Sequence, residues 1–166
     1  VGGQDELVFD GASFVLGADC SLRARMPSWK SQTILTNWSR TKDGWECVVG
    51  EITPTETILH GTYQAMVLGL RDYIQKNCFN GLVLGMSGGV DSALSAAIAV
   101  DAIGPDRVHC IMMPSPYTSQ ISLVDASECS NLLGVQLDEI NIKPAMDAFD
   151  QMLSPLFEGR EQDVTE

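Results

Sequence analysis

The sequence predicts an α/β fold built on a parallel sheet with helices on both of its faces. Three observations predict it. From Leu82 onward, short apolar runs alternate with segments of helical period, in the order strand, helix, strand, helix, strand, helix. A Gly-Gly loop, Ser87-Gly88-Gly89-Val90-Asp91-Ser92, joins the first of those runs to an Ala-rich segment. The connections are of crossover length, which imposes parallel pairing and right-handed crossovers.

Taken in order, residues 7–9 and 13–16 read as two short β segments broken by Asp10-Gly11, a strong turn signal. Residues 21–43 are polar and mixed and read as loop with room for one strand, and residues 45–52 alternate weakly, as a further strand would. Trp29, Trp38 and Trp45 are candidates for a small aromatic cluster in this region. No internal repeat is present.

After Pro54 the texture changes. Tyr63, Met66, Val67, Leu70, Tyr73 and Ile74 have the spacing of a helix that buries one face, and Asn77 to Gly81 supply the stop. Residues 82–86 form a continuous apolar run, expected of a strand buried on both faces. A helix is expected over 91–103, stopped by Gly104-Pro105, then a strand over 107–113. A helix over 122–134 would open on Ser122-Leu123-Val124-Asp125, a weak capping box. A third strand is expected over 137–142, and Pro144 sits in the first turn of a further helix, where proline is tolerated. Residues 154–166 are acidic and turn-rich and are expected to fray. Three strands are fewer than a comfortable doubly wound sheet has, so the chain reads as truncated at both ends.

Composition narrows the function. The chain has 166 residues, 45% hydrophobic and 19% charged, within the ordinary globular range. Its formal charge of −12 argues against a nucleic-acid partner, which wants a basic patch. No apolar run approaches the roughly 18 residues of a membrane span. The five cysteines show no C-x-x-C spacing, and an odd number with some in apolar segments suits a reduced, cytoplasmic protein better than a disulfide scaffold. Two distant histidines and no Cys/His cluster leave no zinc pattern.

The chemistry is concentrated in the loop. A helix start presents unpaired N–H groups and the positive end of the helix dipole, and together these hold phosphate. Gly88 and Gly89 allow close backbone approach, and Ser87 and Ser92 can donate hydroxyl hydrogen bonds to phosphate oxygens. Asp91 suits a phosphate site only as the ligand of a divalent cation that bridges to the nucleotide. The bland alternative is a tight strand-to-helix turn in which Ser or Asp caps the helix. Neither the G-x-x-x-x-G-K-[ST] loop nor the G-x-G-x-x-G spacing is present. His109, inside a strand, reads as a structural side chain, and Met112-Met113 as strand packing. Ser115, Tyr117 and Ser119, beyond the end of that strand, are candidates for a substrate loop or plain loop polarity.

An S-G-G-x-D-S loop after a strand resembles the ATP pyrophosphatases, whose sheet is of the Rossmann-like, adenine nucleotide alpha hydrolase type. The segments Tyr63-Gln64-Ala65-Met66-Val67-Leu68-Gly69-Leu70-Arg71-Asp72-Tyr73, Leu84-Gly85-Met86-Ser87 and Met113-Pro114-Ser115-Pro116-Tyr117-Thr118-Ser119 narrow the likeness. They are similar to the glutamine-dependent NAD synthetase family. Residues 1–13 resemble the late strands of that family's nitrilase-like glutaminase domain. The implied organisation is a nitrilase-like remnant over 1–36, a linker over 37–55, and the N-terminal part of an ATP-binding synthetase domain over 56–166.

The resemblance implies amidation of nicotinic acid adenine dinucleotide to NAD through an adenylate, with ATP and Mg²⁺ and with ammonia from glutamine. It implies that Ser87, Gly88, Gly89, Val90 and Ser92 cradle the phosphates and that Asp91 holds the metal. The backbone near Met112 and Met113 would meet adenine. It places a Glu-Lys-Cys glutaminase triad upstream of Val1, so no residue here is assigned a catalytic role. It also places further dinucleotide and metal contacts beyond Thr165-Glu166, so the isolated chain is expected to be inactive and its full-length parent a homo-oligomer. Two alternatives stay open: another amidotransferase of the pyrophosphatase type, such as a GMP or asparagine synthetase, and a non-catalytic nucleotide-binding fragment.

Overall fold

In the computed structural model, which describes residues 1–4 and 6–158, the chain forms two compact units. The first comprises residues 1–81 and 98–104, the second residues 82–97 and 105–166. The expected fraying of 154–166 falls largely on residues 159–166, outside the described residues, as does Thr165-Glu166.

The first unit holds three antiparallel hairpins. β1 (Gly2–Gln4) pairs with β2 (Leu7–Phe9), β3 (Phe14–Leu16) with β4 (Leu22–Arg25), and β5 (Trp38–Thr41) with β6 (Gly44–Cys47). The Asp10-Gly11 turn therefore separates two hairpins and joins no pair of its own. Gly11 takes φ +85° and bridges Ser28, while the Asp10 carbonyl accepts the Trp29 N–H at 2.7 Å. Competition explains the difference: residues 2–4 supply β2 with a closer partner than β3 does. The polar stretch 21–43, expected to hold one strand, holds two, β4 closing one hairpin and β5 opening the next, and the ladder after Trp45 stops at Cys47. Beyond it the chain turns alongside β4, with the Gly50 N–H donating to the Arg23 carbonyl and the Arg25 N–H to that of Glu51. The three tryptophans form no buried cluster. The Trp29 indole donates to Glu56, that of Trp38 to Thr36, and Trp38 and Trp45 stay 46% and 64% exposed.

α1 (Ile58–Lys76) starts where the periodicity after Pro54 predicts a helix. Thr57 caps it by accepting the His60 N–H, and Val67, Leu68 and Ile74 are buried. It packs on β1 because Gly3 and Gly69 together leave no side chain between them: a Cβ on Gly3 would lie 3.1 Å from the Gly69 Cα. Asp72 accepts the Gly3 N–H at 2.7 Å, and the Lys76 ammonium donates to the Gly3 carbonyl.

The second unit is a parallel sheet in the order β7 (Leu82–Gly85), β8 (Val108–Met112), β9 (Gln136–Glu139). α2 (Val90–Ile103) links β7 to β8, although its residues 98–103 belong with the first unit. α3 (Gln120–Leu133) links β8 to β9 and contacts both strands, and α4 (Lys143–Leu153) follows. Val108, Cys110 and Met112 alternate into a core with Met86, Ala96, Ala126 and Ser130. The β7 run is not buried on both sides, since Val83 is 67% exposed. The helix expected to open at Ser122 opens earlier: Ser119 is its cap, because its hydroxyl reaches the Ser122 N–H three residues on. Gly134, at φ +69°, closes it. Pro144 lies in the first turn of α4, as expected.

Candidate functional site

β7 delivers the chain to the loop under tight control. Met86 is buried, and its N–H donates to the Ile111 carbonyl at 2.9 Å, carrying the β7–β8 pairing one residue past the strand. Ser87, Gly88 and Gly89 follow, and Val90 begins α2.

The two serines that the sequence singles out meet across the loop. Ser87 Oγ lies 3.0 Å from Ser92 Oγ and accepts the Gly89 N–H at 3.2 Å. Ser92 Oγ donates to the Gly89 carbonyl at 2.9 Å and accepts the Ser87 N–H at 3.2 Å. Five polar groups of one turn thus satisfy one another around a small ring, with Gly88 at its outer bend. Gly88 has φ +81°, a left-handed value that favours glycine. A Cβ there would also collide with the Ser122 carbonyl and lie within 2.9 Å of the Ser122 Cα. Ser87, Val90 and Asp91 are exposed, and Ser92 is half-buried.

Beside the loop is a cavity of about 230 Å³. Met86 and Ser87 line one side, Met112, Met113 and Pro114 another, and Thr118, just before α3, and Leu123, in its first turn, close it. Met112 is buried while Met113 is half exposed, so consecutive residues at the end of β8 face different surroundings. The cavity lies at the carboxyl ends of β7 and β8, where parallel sheets place ligands.

The polar residues beyond β8 are committed locally. Ser115 and Thr118 bond each other, the Ser115 hydroxyl accepts the Tyr117 N–H at 3.1 Å, and the Ser119 hydroxyl caps α3. Tyr117 is 84% exposed. His109 is remote from the loop's hydrogen bonds and pairs with Asp138 at 2.8 Å. Asp138 is held below the usual aspartate range, first by the Gln136 amide and then by His109.

Among the described residues, no three His, Cys, Asp or Glu side chains gather as a metal site. Asp91 is the one carboxylate of the loop. A single oxygen ligand suits Mg²⁺ where phosphates and water complete an octahedral shell, so the residue present fits that ion in company with a nucleotide.

The structure therefore brings Ser87, Gly88, Gly89, Val90, Asp91 and Ser92 together and sets Met112 and Met113 on the wall of the adjoining cavity. What sequence reasoning missed is Ser122 against Gly88 and Leu123 on the cavity wall. No local signal marks a contact 34 residues away in the chain, and Ser122 carried only its capping-box reading.

The family model described as NAD synthase matches residues 62–165. A glutamine-dependent NAD(+) synthetase of Rhodobacter capsulatus is 44% identical over the whole chain, which covers 30% of that protein. A solved structure of glutamine-dependent NAD+ synthetase from Acinetobacter baumannii, in complex with adenosine diphosphate, superimposes with a TM-score of 0.92 at 41% identity. That match covers 98% of this chain and 31% of the other. An NMN synthetase from Francisella tularensis matches at a TM-score of 0.55 and 29% identity, over 60% of this chain and 41% of the other. The chain spans about 30% of the length of the curated relatives it matches.

Proposed function

Because this chain belongs to the NAD synthase family, we propose that it is the ATP-binding portion of a glutamine-dependent NAD synthetase. The whole protein then makes NAD by amidating nicotinic acid adenine dinucleotide. ATP activates the nicotinate carboxylate as an adenylate with loss of pyrophosphate, and ammonia drawn from glutamine displaces AMP. The observation that carries this reading is the Ser87–Ser92 ring at the start of α2, set against an apolar cavity at the strand ends.

Each part of the ring has a task. Gly88 and Gly89 let phosphate oxygens approach the backbone, and the α2 N-terminus supplies N–H donors and the positive end of its dipole. Ser87 and Ser92, now bonded to each other, exchange that bond for one to a phosphate oxygen at little net cost. Asp91 would hold Mg²⁺, whose charge neutralises the phosphates when bound. The cavity walled by Met112 and Met113 takes the adenine, since apolar thioether side chains suit a flat ring. The reading needs no nucleophile from these residues, and catalysis is positioning with charge neutralisation. The resemblance of residues 1–13 supports reading 1–36 as nitrilase-like, 37–55 as linker and 56–166 as synthetase. A homo-oligomer, a cytoplasmic setting and helices on both sheet faces belong to the same reading. No described helix is long and apolar enough to cross a membrane.

The test is pyrophosphate release from ATP and Mg²⁺ by the natural polypeptide that contains this segment, with glutamine or ammonia. Release that depends on nicotinic acid adenine dinucleotide, with NAD formed, is the expected result. Release that needs another acceptor, such as a mononucleotide, keeps the ATP site and overturns the NAD assignment.

A further inference from the structure

We infer that Ser119 is a positioning residue for the phosphate loop, acting through the first turn of α3. The inference rests on the nucleotide reading above and adds a part that neither the loop nor the cavity contains. Ser119 Oγ accepts the Ser122 N–H at 3.1 Å and lies 2.9 Å from Ser122 Oγ, while the Ser119 carbonyl accepts the Leu123 N–H at 3.3 Å. This cap orients the peptide units of the turn. The Ser122 carbonyl and Cα occupy the space a side chain on Gly88 would take. Gly88 is therefore held between its own hydrogen-bonded loop and a neighbouring helix turn whose geometry Ser119 sets.

Two consecutive residues then divide the work. Ser122 abuts the phosphate loop, and Leu123 lines the adjoining cavity. Thr118, immediately before the cap, lines the cavity too. Loosening the turn at Ser119 shifts the Ser122 peptide against Gly88. The ring of Ser87, Gly89 and Ser92 is held by bonds of 2.9–3.2 Å and follows that shift. The affected half of the ligand is the phosphate chain. The base sits against Met112, which ends β8 and is held by its pairing with Glu139 of β9, and against Met113, the next residue. Ser119 touches no ligand in this account, because its hydroxyl is spent on the helix.

The experiment is calorimetric titration of the natural polypeptide that contains this segment with ADP and Mg²⁺ and, separately, with adenosine. Ser119→Ala is expected to weaken ADP about 3- to 10-fold and adenosine less than about 2-fold, the range that losing one cap covers. Ser119→Thr, which restores a capping hydroxyl, is expected to recover the ADP affinity. Equal weakening of both ligands, no weakening, or failure of threonine to rescue overturns the positioning role while leaving the nucleotide site standing. A wild-type chain that binds neither ligand overturns the nucleotide reading and this inference with it. A melting curve for each variant separates a general loss of folding, which lowers both affinities, from the selective loss expected here.

Discussion

Nε2 of His109 on β8 lies 2.8 Å from Oδ2 of Asp138 on β9, and this pair ties the last strand of the parallel sheet to its neighbour. The Gln136 amide reaches the same carboxylate at 3.3 Å. Together they keep Asp138 charged to lower pH than an ordinary aspartate, the amide contributing most. The stabilisation is complete above the unfolded value of about 3.9 and disappears as pH falls through the lowered folded value. Asp138→Asn is expected to be destabilising at pH 6 and progressively less so at an acidic pH below the unfolded aspartate value. Urea midpoints at the two pH values check this, and a gap that stays constant removes the carboxylate's charge from the explanation.

Gly88→Ala combines a left-handed φ with a collision against Ser122. The expected cost is more than about 1 kcal/mol of stability, with loss of measurable ADP binding. Chemical denaturation with a parallel titration reads both. A variant of wild-type stability that binds ADP normally contradicts the role given to this contact.

Asp91 is exposed in the first turn of α2, away from the core. Asp91→Asn is expected to leave the unfolding free energy within about 0.5 kcal/mol and to weaken Mg²⁺-dependent ATP binding on the order of tenfold. The comparison is made with and without the metal. Equal weakening in both conditions assigns the residue to the loop's shape instead of the cation.

The Tyr63 hydroxyl donates to Asp101 Oδ2 at 2.7 Å, linking the beginning of α1 to the end of α2 within the first unit. That bond, followed by burial and the aspartate charge, raises the phenol's pKa. Its stability contribution is therefore present below about pH 10 and is lost as pH rises through the folded value. Tyr63→Phe is expected to cost about 1 kcal/mol at pH 7, and the difference should shrink above pH 10. Denaturation at pH 7 and pH 11 distinguishes this from a purely apolar role.

Cys20 and Cys78 are exposed, whereas Cys47 and Cys110 are buried. Burial raises the Cys110 thiol, which further reduces the thiolate that an alkylating agent attacks. Iodoacetamide at pH 8 is expected to modify Cys20 and Cys78 first and Cys110 only on unfolding, as peptide mass spectrometry reads directly. Early labelling of Cys110 would show that β8 opens in the native state.

The sequence by itself determined the order of elements from α1 to α4 and the place of the Ser87–Ser92 loop between β7 and α2. Those features rest on local patterns: helical spacing from Tyr63 to Ile74, an apolar run before Gly88-Gly89, and Pro144 at a helix start. Only the tertiary structure decided which strands pair near the N-terminus. Strands of three or four residues carry too little pattern to choose a partner, so Asp10-Gly11 looked like a hairpin turn when β1 was the nearer partner for β2. It also decided that Ser119 caps α3 in place of Ser122, because each serine has an apolar residue within two positions after it and the backbone path selects between them. Gly88 shows the division most sharply. Its need for freedom was legible in the loop, but the neighbour that enforces it, Ser122, comes from folding 34 residues of chain back onto one point, and no local period encodes such a contact.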